Sequence, residues 1–170
     1  GKYLYITNIG KFKLFLSRPI LGNIKTVTIK RTLTNEWFVT FSCDTVPENI
    51  LPKTNNEVGI DVGIKFFLVD SQGDKVDNPK YFKKSEKLLK LRQRRQCRRK
   101  KGSNRRAKAR ILVAKIHEKI SNCRKDFLHK IANQYIKNFQ IIYIEDLKIK
   151  NMVKNKYLSK EIDKIMPWDI

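Results

Sequence analysis

Two short strand-like runs lie far apart in this sequence, and each carries a carboxylate. The first is Val58-Gly59-Ile60-Asp61-Val62-Gly63-Ile64; the second is Ile141-Ile142-Tyr143-Ile144-Glu145-Asp146-Leu147. Asp61 sits inside an apolar β-type run and Glu145 ends another. A carboxylate in an apolar strand is costly to bury unless it is ion-paired, hydrogen-bonded or bound to a metal. With a very basic helical region between them, the two acidic strands point to a metal-dependent nuclease core that works on nucleic acid.

The charge balance agrees. Thirty-eight Lys and Arg residues against 16 Asp and Glu give a net charge of +22 over 170 residues. Such an excess repels itself unless a polyanion is present, so nucleic acid leads as partner, with a membrane surface second. No apolar stretch approaches the roughly 18–20 residues that span a bilayer, and no secretory signal is visible. A hydrophobic content of 41% suffices for a packed core, which excludes a disordered chain. The length allows one medium domain or two small ones. Cys43, Cys97 and Cys123 are odd in number and widely spaced. They read as reduced intracellular thiols, neither a disulfide framework nor a zinc set. The start at Gly1 and the stop after Pro167-Trp168-Asp169-Ile170 predict a piece of a longer protein.

Residues 1 to about 45 read as β. Tyr3–Thr7 and Lys11–Leu16 flank a turn at Asn8-Ile9-Gly10. Ile24–Arg31 and Trp37–Cys43 alternate around Thr34-Asn35-Glu36, which predicts a hairpin with one strongly apolar face. Successive short antiparallel strands suggest part of a small barrel. The polar, proline-bearing stretch from Pro47 to Asn56 is the expected linker. Val58–Ile64, Lys65–Asp70 and Lys75-Val76 then form an antiparallel meander. From Lys80 to Arg110 nearly every second residue is basic and Glu86 is the only acid. Leu88, Leu89 and Leu91 give the first helix a short apolar stripe, and Lys101-Gly102-Ser103-Asn104 breaks it. A second helix is expected over residues 105–137, with Leu112, Ile116, Ile120, Cys123, Phe127, Ile131 and Tyr135 on one face. Ile141–Ile144, apolar throughout, predicts a strand buried on both faces in mid-sheet. The tail from Lys148 is helix-prone.

Phosphodiester hydrolysis needs an activated water and a stabilised leaving oxyanion, which a pair of Mg²⁺ ions supplies. Mg²⁺ takes carboxylate oxygens. Asp61 faces away from Ile60 and Val62, with Gly59 and Gly63 leaving room on its own side. Glu145 stands where its strand leaves the sheet. Acids also follow strands as simple helix caps, and a lone Asp in a strand is often a turn residue. His117 and His129 read as ordinary helix residues, since their spacing fits no zinc pattern. In the basic segment, Lys84, Lys87, Arg92, Arg94, Arg95, Arg98, Arg99, Lys100, Lys101, Arg105 and Arg106 are the candidate nucleic-acid contacts. Like charges one turn apart destabilise an isolated helix; phosphates relieve that repulsion, and arginine grips them bidentately.

The motifs GIDVGI (59–64), NPKYFKKSEKLLK (78–90), RRKKGSNRRAKAR (98–110), RKDFLHK (124–130) and IIYIEDL (141–147) occur in this order. They resemble the TnpB/OrfB family of transposon-encoded, RNA-guided DNA endonucleases, which are related to the type V CRISPR effectors. The resemblance runs from about Tyr5 to the end. It implies an α+β or α/β chain in two parts. Residues 1–56 would be the C-terminal part of a wedge-like β-barrel. Residues 57–170 would be the N-terminal part of an RNase H-like RuvC core, with residues 82–101 as an arginine-rich bridge-like helix. Asp61 and Glu145 would be its first and second catalytic acids and ligands of Mg²⁺ or Mn²⁺. Guide RNA and target DNA would be the partners, in the cytoplasm of a prokaryote and near its nucleoid. In such systems base pairing reads the sequence while the protein reads shape. The family's recognition helices precede Gly1. Its zinc ribbon and third catalytic Asp follow the Trp168 region, so Zn²⁺ belongs to that missing part. Asp163 and Asp169 match no ligand position of the family. The expectation is a fragment that binds nucleic acid and cleaves poorly. The alternatives are a non-catalytic basic RNA-binding module and a structural RNA protein in which Asp61 and Glu145 are incidental.

Overall fold

The computed structural model describes residues 3–48 and 50–147; the expectations for the tail, with Asp163 and Asp169, lie outside the described residues. The chain divides into two compact units, one of Gly1–Thr32 with Glu36–Ile50, the other of Leu33–Asn35 with Leu51–Ile170.

In the first unit, β1 (Tyr3–Ile6) and β2 (Gly10–Lys13) form an antiparallel hairpin. Its turn uses positive φ at Asn8 (64°) and Gly10 (129°), which these two residue types tolerate best. β3 (Asn23–Arg31) and β4 (Trp37–Asp44) form a longer hairpin with a register shift between Ile24 and Thr26. Across its mouth the Thr32 hydroxyl accepts from the Glu36 amide at 3.1 Å. Gly22 enters this hairpin at φ +75°, where a Cβ would collide with the Asp44 carbonyl. The sequence suggested part of a barrel. The two hairpins are instead separate two-stranded sheets, and no closed barrel exists among the described residues. Strands as short as β1 and β2 share no ladder with β3 or β4, so an apolar cleft of about 1030 Å³, lined by Leu4, Phe12, Phe15, Trp37 and Phe41 among others, stays open between them.

The second unit is built on a four-stranded sheet. β5 (Glu57–Asp61), β6 (Phe66–Asp70) and β7 (Lys75–Asp77) make the expected antiparallel meander. Two helices follow, α1 (Tyr81–Cys97) and α2 (Asn104–Asn138). β8 (Ile141–Ile144) then returns parallel to β5, giving the order β7-β6-β5-β8. Val58, Phe67, Leu68 and Tyr135 form the core, with Ile60, Phe127, Leu128, Ile131 and Ile142 packed around them. Burying each large apolar side chain contributes roughly 1.5–3 kcal/mol, so α2 is fixed to one face of the sheet. Phe127 meets Phe67 edge-on at 5.0 Å between ring centres. The strand entrances are tied together as well: the Asn56 carbonyl accepts from the Gln140 amide at 2.8 Å, and the Asn56 amide side chain donates to the Asn138 carbonyl.

α1 starts after Asn78-Pro79, with the Asn78 side chain accepting from the Lys80 amide at 3.1 Å. It ends at Cys97, short of the expected 101, because Arg98–Ser103 form the turn into α2 with Gly102 at φ +80°. Ser103 caps α2 by accepting from the Arg106 amide. Of the leucine stripe only Leu89 is buried; Leu88 and Leu91 are exposed, since α1 meets one helix and needs a narrow seam. α2 likewise buries Ala109, Val113, Ile120 and Tyr135 rather than the whole expected face, and Leu112 is exposed.

β8 departs most from expectation. Rather than lying in mid-sheet, it is an edge strand among the described residues, with β5 on one side. Ile142 packs into the core, while Ile141, Tyr143 and Ile144 are 42%, 57% and 66% exposed. An apolar run records what a strand can tolerate on both faces; here α2 covers one face.

Candidate functional site

Asp61 ends β5 and Glu145 follows the last residue of β8. The register pairs Ile60 with Ile144, so the two acids occupy the next position on neighbouring parallel strands, which run about 4.8 Å apart. Val58, Ile60 and Ile142 point to α2. Side chains alternate along a strand, so Glu57, Gly59 and Asp61 share the opposite face with Tyr143 and Glu145. There Gly59, Asp61, Ser71, Tyr143 and Glu145 line one open cleft of about 430 Å³, whose lining also takes in Ile60, Val69, Asp70 and Ile144 at the strand ends. Both acids are exposed. Among the described residues, no hydrogen bond or ion pair engages either carboxylate. The burial cost anticipated from sequence is therefore not incurred. Asp146 does not line the cleft. Among the described residues no group of three or more His, Cys, Asp or Glu side chains is placed to hold a metal ion. His117 and His129 are exposed on α2.

The acid that is buried among the described residues is one that sequence reasoning passed over. Asp70 ends β6 at 7% exposure. Its Oδ2 accepts from the Tyr135 hydroxyl at 2.8 Å, and its Oδ1 accepts from the amides of Gln72 at 3.0 Å and Asp74 at 2.9 Å. Burial pushes the Asp70 carboxyl up, but the hydrogen bonds from Tyr135 and from the amides of Asp74, Gln72 and Gly73 outweigh it and hold it below its ordinary value. Burial, with the hydrogen bond to Asp70, pushes the Tyr135 hydroxyl up to about 12. The pair bolts α2 to the β6–β7 turn beneath the cleft. The signal was Asp70-Ser71-Gln72-Gly73-Asp74, a carboxylate opening a glycine turn.

A second cleft, of about 450 Å³, lies between α1 and α2 and is lined by Arg92, Arg95, Arg99, Arg105 and Lys108, with Ala109 and Leu112 as its apolar floor. The cations recur at helical steps of three and four, which is why one face of each helix carries them. Of the candidate contacts, Arg92, Arg95, Arg99 and Arg105 converge here. Lys84, Lys87, Arg94, Arg98, Lys100 and Lys101 are exposed elsewhere on the helical hairpin. Arg106 is engaged within the protein, its guanidinium donating to the Arg99 carbonyl at 3.0 Å. Lys108 was missed; its place one turn after Arg105 was the available signal. Glu86, the one acid of α1, pairs with Lys90 at 2.7 Å, and every charged residue lining the cleft is a cation.

Comparison with known proteins places these features in context. Residues 40–156 match the OrfB_IS605 family, described as "Probable transposase". A protein of Streptomyces pristinaespiralis named "Putative RNA-guided DNA endonuclease" is 40% identical over 149 residues, covering 86% of this chain and 37% of that protein. "Putative RNA-guided DNA endonuclease InsQ" of Escherichia coli K12 is 29% identical over 152 residues, covering 89% of this chain and 38% of that protein. The chain thus spans little more than a third of the length of either relative.

Proposed function

The chain belongs to the TnpB/OrfB family of transposases, and from that premise we propose that it is part of a transposon-associated, RNA-guided, metal-dependent DNA endonuclease. The observation that carries this reading is the placement of Asp61 and Glu145 at laterally adjacent positions in one open cleft, with no protein group engaging either carboxylate among the described residues. Two unpartnered oxygen donors on rigid strands fit a hard divalent cation, Mg²⁺ or Mn²⁺. An ion held there would lower the pKa of a bound water and offset charge on the leaving oxygen. Asp61 and Glu145 would hold and orient that ion. Bare Gly59 keeps the strand beside them low enough for a nucleic-acid backbone to approach.

The mixed sheet, with a meander followed by a helical crossover into parallel β8, supports an RNase H-like core of RuvC type. The two antiparallel hairpins of the first unit support a β-rich part preceding that core, without a closed barrel among the described residues. In this reading the α1–α2 cleft grips phosphates of guide RNA, or of its heteroduplex with target DNA, through Arg92, Arg95, Arg99, Arg105 and Lys108. The described residues alone are expected to cleave slowly, because two carboxylates without a third ligand hold an ion loosely. That same observation favours a second reading, a non-catalytic basic RNA-binding protein.

Two measurements separate the readings. Mn²⁺ titration should show binding that Asp61→Ala weakens at least roughly tenfold; no binding by the parent chain leaves the non-catalytic reading. Arg92→Gln, Arg95→Gln and Arg99→Gln together should flatten the log–log salt dependence of RNA binding by about 0.7–0.9 per lost phosphate contact. An unchanged slope removes the cleft from the interface under either reading.

A further inference from the structure

Tyr143 lies in the same cleft as Asp61 and Glu145, and its surroundings differ from theirs. It stands directly across from Gly59 in the parallel ladder and is 57% exposed. Its hydroxyl donates to Glu57 Oε2 at 3.1 Å, so the ring is tethered at its tip while a large part of it stays open to solvent. Gly59 beside it carries no side chain. A Cβ there would meet only the Ser71 Cβ, at 3.8 Å. Ser71 closes the far side, its hydroxyl accepting from the Gly59 amide at 3.1 Å and its own amide donating back to the Gly59 carbonyl at 2.9 Å. The result is a shelf one strand wide, with a flat aromatic wall, a bare backbone floor and a hydroxyl rim, ending at the two carboxylates.

Charge decides what this shelf takes. Glu57 and Glu145 flank Tyr143 on the same face, so a phosphate against the ring would be repelled. A neutral flat group is not repelled. We propose that Tyr143 is a stacking platform for a nucleobase of the strand whose phosphate lies at Asp61 and Glu145, making it a substrate-positioning residue. This rests on the nuclease reading above. Every base has a π face, so such stacking positions a strand without selecting its sequence.

The test uses the full chain and single-stranded DNA carrying 5-iodouracil, which cross-links to an aromatic ring stacked on it. Irradiation should place a cross-link on Tyr143. Tyr143→Ala should weaken binding roughly 5- to 100-fold at unchanged salt slope. Tyr143→Phe and Tyr143→Trp should stay within about threefold of the parent, because they keep the ring. Cross-links confined to other residues, or equal affinity in Tyr143→Ala and the parent, overturn the platform. A loss in Tyr143→Ala that is equally large in the two ring-retaining variants also overturns it, since the fold rather than the ring is then at fault. Mn²⁺ titration on the same sample reports the nuclease reading independently. A Tyr143 cross-link without Mn²⁺ binding removes the metal site and leaves a stacking surface; Mn²⁺ binding without the cross-link does the reverse.

Discussion

Asp70 on one face of the four-stranded sheet and the pair of Asp61 and Glu145 on the other are treated in opposite ways. Toward α2, Asp70 is buried with both oxygens engaged, one taking the Tyr135 hydroxyl and the other two turn amides. Toward the cleft, Glu57 takes the Tyr143 hydroxyl, while Asp61 and Glu145 are exposed and engaged by no described protein group. All three acids follow apolar runs, and the strand pattern alone does not separate them. What separates them is where their hydrogen-bonding capacity goes. A buried acid with both oxygens engaged holds the fold. Two adjacent acids left open, on strands anchored by the core behind them, have capacity to spare for something outside the chain.

The sharpest way to break this contrast is Asp70→Ala. It strands the buried Tyr135 hydroxyl and frees the β6–β7 turn, and should cost on the order of 3 kcal/mol in urea unfolding. A loss below roughly 0.5 kcal/mol would reduce Asp70 to an ordinary surface acid.

Tyr135→Phe is a smaller perturbation, expected at about 1–2 kcal/mol, and it has a pH signature. The folded hydroxyl lies at about 12 against an ordinary 10.0, so its contribution is complete below pH 10 and is lost as pH rises toward 12. Asp70 lies below its ordinary 3.8, so its contribution is complete above that value and is lost as pH falls through the folded one. Unfolding curves across pH should therefore show a smaller alkaline decline in Tyr135→Phe and a smaller acid one in Asp70→Asn. An alkaline decline kept intact in Tyr135→Phe would mean that another group titrates there.

At the small end, Asp61→Ala and Glu145→Ala should change stability by no more than about 0.5 kcal/mol. Any shift should be toward greater stability, because two like charges on adjacent strands repel. A destabilisation of 2 kcal/mol or more in either variant, by the same urea assay, would turn these acids into structural residues and erase the contrast between the faces.

Much of this was legible in advance. The meander, the two helices, the basic character of their hairpin and the two acids all follow from local patterns: alternation in Val58–Ile64, helical spacing through α2, and a one-sign charge run. Three features were not. Asp70 was hidden because its partner Tyr135 lies 65 positions away in sequence. The choice of Arg92, Arg95, Arg99, Arg105 and Lys108 from a crowd of cations needed two helices to face each other. The edge position of β8 was invisible because an apolar run reads the same whether one face or two are covered.

By itself, then, the sequence determined which segments could be strands or helices and which residue types were available for chemistry, because period and charge are local properties written into neighbouring positions. Only the tertiary structure decided which acids were spent on the fold and which were left over. That depends on hydrogen-bond partners brought together by a parallel ladder between β5 and β8 and by a helix crossing behind them. Neither contact has a local signature, since each is set by how the core closes over Val58, Phe67, Leu68 and Tyr135.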